Sequence, residues 1–327
     1  MVDENTLEAE AARFKEDFER IRAEVGRIIV GQERVVEATI TAILCGGNVL
    51  LEGVPGLGKT ELVKTLGKAL DLEFRRIQFT PDLMPADITG TTVLWEKPTG
   101  EREFQFQAGP VFANVVLADE VNRATPKAQS ALLESMEEFQ VTVDGQTRDL
   151  PQPFFVVATE NPIEYEGTYH LPEAQLDRFL MRVQIGYPSP PDEVDILSRQ
   201  ILEHPIHRVV PVMTAEEVVV LQGAIRQVHV AEELKEYAVR LTNETRRHPD
   251  VELGASPRGS LALMRAGQAI AASGGRDYVL PDDMKRVAHA VLAHRVIVKP
   301  ERRIRGMTPA DVVAAVLSSV EVPVLVV

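Results

Sequence analysis

Three short stretches carry residue types able to act together on a phosphate ester. The first, Gly53-Val54-Pro55-Gly56-Leu57-Gly58-Lys59-Thr60, follows an apolar run and opens a helical pattern. Its glycines let the backbone curl so that successive N–H groups point inward at phosphate oxygens. A helix N-terminus adds partial positive charge at the same place. There Lys59 would reach the β- and γ-phosphates and the Thr60 hydroxyl would hold Mg²⁺. The second stretch, Val115-Val116-Leu117-Ala118-Asp119-Glu120, is an apolar strand ending in two carboxylates. Asp119 would orient water on the metal, and Glu120 would polarise the attacking water. Such an acid pair alone is usually solvated, but sixty residues after a phosphate loop it reads as the hydrolytic half of a site. The third, Ala158-Thr159-Glu160-Asn161-Pro162, ends another apolar run. Asn161 could bond the γ-phosphate or the attacking water, although Asn-Pro by itself is more often a turn. Arg178, and Arg258 after Ser256-Pro257, complete the set. A guanidinium stays charged and forks onto phosphate oxygens, yet spacing alone leaves a surface salt bridge open for each.

The elements that must position these groups follow from periodicity. Phe14, Phe18, Ile21, Val25 and Ile28 recur at steps of four and three, which predicts a helix over 6–28. A second helix is expected from Gln32 to about Leu44, stopped by Gly46-Gly47. Short apolar runs at 48–51, 74–79, 114–118, 154–158 and 181–185 read as strands. Helical patterns at 59–70 and 126–138 lie among them, the latter opened by Thr125-Pro126. Strands alternating with helices imply a mostly parallel sheet covered on both faces. Two segments break the rhythm. Residues 91–106 alternate around Lys97-Pro98-Thr99-Gly100, and 141–150 turn at Asp144-Gly145, so both are expected to be β-hairpins. The prolines around Tyr187-Pro188-Ser189-Pro190-Pro191 read as a stiff linker. Helices are expected after it at 214–228, 231–246, 257–272, 282–293 and 308–319. This places an α/β domain over 1–188 and a helical domain over 189–327.

Composition limits the partners. The 327 residues carry 35 Lys and Arg against 49 Asp and Glu, a formal charge of −14. A protein that coats nucleic acid by bulk electrostatics would have the opposite balance. The single cysteine, Cys45, excludes an internal disulfide and reads as a small core residue. No apolar run reaches the length of a membrane span, and Met1–Asn5 lacks the basic start of a signal peptide. The expectation is a soluble cytoplasmic protein. Seven scattered histidines, His204 and His207 being the one near pair, offer no metal site beyond Mg²⁺. Trp95, Phe104 and Phe106 could face a pore or partner, against the simpler reading that they pack within their hairpin.

Together these residues resemble an AAA+ ATPase of the MoxR family. The resemblance runs from Ile29-Val30-Gly31-Gln32 into the helical C-terminal part. Beyond the phosphate loop it rests on 78–90, Ala118-Asp119-Glu120-Val121-Asn122-Arg123-Ala124, and Leu171-Pro172-Glu173-Ala174-Gln175-Leu176-Asp177-Arg178-Phe179. It implies a five-stranded P-loop α/β domain with a C-terminal all-α lid, assembled as a ring, usually a hexamer, with ATP and Mg²⁺ at subunit boundaries. By residue match, Val30, Gly31 and Gln32 would lie near the adenine. Gly53 through Thr60, with Glu61, would be Walker A, and Asp119 and Glu120 Walker B. Asn161 would be sensor 1 and Arg258 sensor 2. Arg178 would be the arginine finger that reaches the neighbouring subunit. The two hairpins match insertions that tend to face the ring's pore. One departure is Glu160, where the family more often has Gln before the sensor Asn, and the resemblance leaves open whether Arg258 acts in cis or in trans.

Members of this family are ATP-hydrolysing chaperones that mature or activate partner proteins, often beside proteins with a von Willebrand factor A domain. Three rivals stay open. A nucleic-acid motor shares the hairpins, but Lys97, Arg102 and Arg148 are their only basic residues. A magnesium-chelatase-like subunit needs chelatase partners, and a nucleotide-gated scaffold would bind ATP without useful turnover.

Overall fold

A computed structural model of the chain describes residues 4–162, 168–201 and 205–324, with side chains from Ala11 onward. Helix α1 (Glu4–Gly26) buries Phe14, Phe18, Ile21 and Val25 along one face and packs on α2 (Glu33–Leu44). Strand β1 (Asn48–Glu52) leads through the glycine-rich loop into α3 (Lys59–Ala69), followed by β2 (Phe74–Gln78) and the short α4 (Pro85–Thr89). The first hairpin pairs β3 (Gly90–Glu96) with β4 (Arg102–Ala108). Strand β5 (Val115–Asp119) returns to the sheet, and α5 (Pro126–Glu138) starts at Thr125-Pro126 as predicted, although the Thr125 side chain makes no capping bond. The second hairpin joins β6 (Gln140–Val143) to β7 (Gln146–Asp149). Asp144 and Gly145 between them both take positive φ, as a tight two-residue hairpin requires. Strand β8 (Phe155–Glu160), a helical turn α6 (Glu173–Leu176) and β9 (Phe179–Gln184) complete this part.

The five longer-range strands form one parallel sheet in the order β2-β5-β8-β1-β9. Strands β1, β5 and β8 are buried on both faces, which is why they read as unbroken apolar runs. Their alternate residues divide between two cores. Val49, Leu51, Val115, Leu117, Phe155 and Val157 face α1, α2 and α3. Leu50, Val116, Ala118, Val156 and Ala158 face α5. The result is an α/β sheet covered on both sides, as the alternation predicts.

The rest is mainly helical: α7 (Pro190–Arg199), α8 (Ala215–Ile225), α9 (Glu232–Arg247), β10 (Val251–Leu253), α10 (Pro257–Ser273), α11 (Pro281–Leu292), β11 (Ile297–Val298), α12 (Pro300–Ile304) and α13 (Pro309–Ser319). The expected proline linker is instead a helix start. Ser189 caps α7 by accepting from the Asp192 N–H, and Pro190 and Pro191 fill the first turn, where a missing N–H costs nothing. The β10–β11 pair and α12 went unpredicted because elements this short show no periodicity. Apolar residues of α9, α10, α11 and α13 share one continuous core with α1 to α3. Because the sheet is parallel, the ends of β1, β5 and β8 open on one side of the molecule, while the start of β9 lies on the other.

Candidate functional site

The glycine-rich loop leaves the end of β1 under tight constraint. A Cβ on Gly53 would lie 2.8 Å from the Ile185 carbonyl oxygen, so the backbone just after β9 leaves room only for glycine. Gly56 and Gly58 meet no such crowding, but they take φ of +85° and +77°, where glycine is favoured. With Val54, Pro55 and Leu57 they turn the chain into α3, whose N-cap Gly58 supplies no side-chain acceptor to the first helical N–H groups. Those N–H groups, carried by Lys59, Thr60 and Glu61, suit an anion. The Lys59 ammonium is buried, donating to the Gly53 carbonyl at 2.5 Å and to the Glu160 carbonyl at 3.5 Å. It straps the loop to the end of β8, as does the Gly53 N–H donating to the same Glu160 carbonyl at 3.2 Å.

Val30, Gly31 and Gln32 precede α2 and meet the chain that follows β9. Gln32 Nε2 donates to the Gly186 carbonyl at 2.8 Å, two residues beyond the end of β9. Gly31, at φ +71°, approaches the Asp192 side chain in the first turn of α7 so closely that a Cβ would clash.

The acid pair sits two strands away from β1, about 10 Å at ordinary strand spacing. Asp119 is buried at the end of β5, with Oδ1 accepting from the Thr159 hydroxyl at 2.7 Å and Oδ2 from Arg76 Nη2 at 2.6 Å. Glu120 occupies the left-handed region, φ +56° and ψ +51°. A non-glycine residue held there is strain of the kind that functional sites retain. Its N–H donates to the same Thr159 hydroxyl at 2.8 Å, while its carboxylate accepts from Gln78 Nε2 at 2.9 Å and from Arg123 Nη1 at 2.8 Å. Asn161 is buried directly after β8, between the loop and the acid pair in strand order.

Glu160 next to it is unusual. Burial, the largest influence, pushes its carboxyl up to about 7; Arg182 draws it down and Glu52 raises it. Arg182 is itself committed to Glu52, with Nη2 2.6 Å from the carboxylate.

The two arginines lie elsewhere. Arg178 precedes β9, whose first residue pairs with Asn48 at the start of β1. The length of the strand, about 13 Å, therefore separates it from the phosphate loop. Arg178 Nη1 donates to the Leu133 carbonyl at 2.5 Å, and its Nη2 lies 3.1 Å from Glu137 in the last turn of α5. Arg258, in the first turn of α10, donates to the other oxygen of that same carboxylate. Asp177 ties the two segments together. It accepts from the Ser256 hydroxyl at 2.7 Å and from the buried Arg295 at 2.7 Å. The predicted site residues thus form two groups, one at each end of the sheet.

Several participants escaped the sequence reading: Arg76, Gln78, Arg123, Thr159, Glu137, Asp177 and Arg295. Arg76 and Gln78 alternate along β2, a signal that becomes meaningful only once β2 is known to neighbour β5. In the hairpins, Lys97 pairs with Glu103 at 2.7 Å, Arg102 with Glu96 at 3.0 Å, and Arg148 covers the Phe106 ring. All three basic groups are engaged locally. Phe106 packs edge-on against Phe112, whereas Trp95 and Phe104 are 55% and 79% exposed. The packing reading therefore holds for one aromatic of three.

Cys45 is buried and its thiol is pushed up to about 12 by that burial, in keeping with a core residue. Among the described residues no three His, Cys, Asp or Glu side chains converge, and His204 lies outside them. No described helix is long and apolar enough to cross a membrane.

Comparisons with known proteins agree on one relationship. Residues 48–181 match the model of the ATPase family associated with various cellular activities, and 243–316 match an AAA lid domain. The chain is 49% identical to YeaC of Bacillus subtilis over 92% of its length and 93% of that protein's. It is 43% identical to the chaperone MoxR1 of Mycobacterium tuberculosis, over 94% of this chain and 82% of that one. A crystal structure of a candidate ATPase from Cytophaga hutchinsonii superposes with a TM-score of 0.90 at 38% identity, over 98% of each chain.

Proposed function

Since the chain belongs to the MoxR family of AAA+ ATPases, we propose that it binds Mg·ATP at the ends of β1, β5 and β8. It hydrolyses ATP to ADP and phosphate there, and works as a ring-forming chaperone that remodels partner proteins. The observation that carries this reading is the separation of the site residues into two groups at opposite ends of one sheet. A nucleotide held by the loop of one subunit meets the arginines of another, which calls for a closed head-to-tail ring, expected to be a hexamer.

The open curl at Gly56 and Gly58 and the uncapped start of α3 fit a polyphosphate. Val30, Gly31 and Gln32 border the position of the base. The Thr60 hydroxyl and the Asp119 carboxylate are hard oxygen donors suited to Mg²⁺, which supplies charge neutralisation on the phosphates when bound. Lys59 adds a cation, released from the loop carbonyls it straps. Glu120 polarises the attacking water and Asn161 orients it. Arg178 and Arg258 both act in trans, placing guanidinium charge where negative charge develops.

Residues 1–188 serve as the nucleotide core and 189–327 as the lid. Exposed Trp95 and Phe104 on the first hairpin favour contact with protein over nucleic acid, since the hairpin's basic groups are already paired. Family kinship supports partners bearing a von Willebrand factor A domain, and the lone cysteine suits work in the reducing cytoplasm.

The test is Glu120→Gln. The variant should bind ATP as the parent does, while hydrolysis falls by about two to four orders of magnitude. Equal, negligible turnover by both proteins under assembled conditions would leave a nucleotide-gated scaffold as the better reading.

A further inference from the structure

The geometry points to Glu137 as the positioning residue that sets the spacing of the two trans-acting arginines, a role that rests on the ring reading above. One carboxylate accepts from both guanidiniums, Arg178 on Oε2 at 3.1 Å and Arg258 on Oε1. Two cations brought together would otherwise repel, and the shared anion between them removes that repulsion.

Local preference does not explain the acid. Glu137 and Glu138 end α5, where the helix carries partial negative charge and favours cations. Arg178 suits that position, since it also donates to the Leu133 carbonyl in the same last turns. A carboxylate placed against its local field, and paired with two partners from segments far away in sequence, fits a functional demand rather than a helix-forming one.

The two arginines also differ in freedom. Arg178 is fixed by Leu133, Glu137 and its neighbour Asp177, whose bonds to Ser256 and Arg295 lock the chain on either side. Arg258 holds to this frame through its ion pair with Glu137 and remains half exposed. Glu137 is thus the link that makes the finger position the second arginine, so that both address one γ-phosphate.

The experiment is hydrolysis by Glu137→Ala and Glu137→Gln, alone and mixed with Lys59→Ala subunits, with Arg178→Ala as comparator. Misplacing charge by about 1 Å at such a site costs on the order of a hundredfold, so Glu137→Ala should lower kcat by about that factor with ATP affinity unchanged. Glu137→Gln, which keeps one acceptor oxygen, should lose less. Mixing with Lys59→Ala should restore activity, because the Lys59→Ala subunit offers an intact arginine pair to its neighbour's working loop. A misfolded variant could not be rescued in this way. Unchanged or faster hydrolysis by Glu137→Ala would overturn the positioning role while leaving the ring reading intact. A defect that mixing never repairs would do the same, provided Arg178→Ala is repaired. Failure to repair Arg178→Ala itself would remove the ring reading and this role with it.

Discussion

The two ends of the sheet are built by different rules. At the phosphate-loop end, function rests on backbone: curled glycines, the start of α3, and carbonyls that hold Lys59 in place. The side chains there come from consecutive strand ends and are tied by one hydroxyl, Thr159, to both acids. At the arginine end, function rests on long side chains gathered from α5, the start of β9, α10 and the residues after α11. The first arrangement can grip a nucleotide within one subunit. The second has charge and reach with no phosphate-binding loop of its own. Under the proposed ring, catalysis is divided between subunits, and the two ends should fail in different ways.

Lys59→Ala should produce the largest effect, removing nucleotide binding and turnover together, as fluorescent-nucleotide titration would register. Arg178→Ala should leave that titration unaltered but reduce kcat by about three to five orders of magnitude. If Arg178→Ala lost binding as well, the two ends would not be separable. A smaller change is expected from Thr159→Val. It keeps the shape of a fully buried side chain but leaves Asp119 and the Glu120 N–H each short of a partner. Chemical denaturation should show a loss of roughly 1–3 kcal/mol.

The last effect concerns pH. Burial lifts the Glu160 carboxyl from 4.5 to about 7. Between those values the folded chain retains a proton that the unfolded chain has released, so stability declines as pH rises through the window and levels off above it. Glu160→Gln should flatten that slope in unfolding curves recorded from pH 4.5 to 7. An unchanged slope would mean that the buried carboxyl is not the group titrating.

How much of this was legible in the sequence follows from the same contrast. The phosphate loop and the acid pair are contiguous, and their chemistry needs only a strand before and a turn after, so residues 53–60 and 119–120 announced themselves. Asn161 and Thr159 sit in one readable run, but the role of Thr159 depends on β8 lying beside β5. Glu137 and Arg258 are separated by 121 residues, and no spacing rule relates a helix end to a distant helix start. Pro190-Pro191 misled for another reason, because prolines stiffen linkers and open helices alike, and the Ser189 cap decides between them. The hairpins were readable from their turns, yet which of their aromatics stay exposed depended on Phe112 and Arg148.

The division of labour between subunits is tested most directly by mixing Lys59→Ala and Arg178→Ala proteins, each inactive alone, and measuring ATP hydrolysis across a range of ratios. Recovery that peaks at intermediate ratios is the predicted result, since each mixed interface can join a working loop to a working arginine. Flat, background turnover at every ratio, with co-assembly demonstrated, would contradict it.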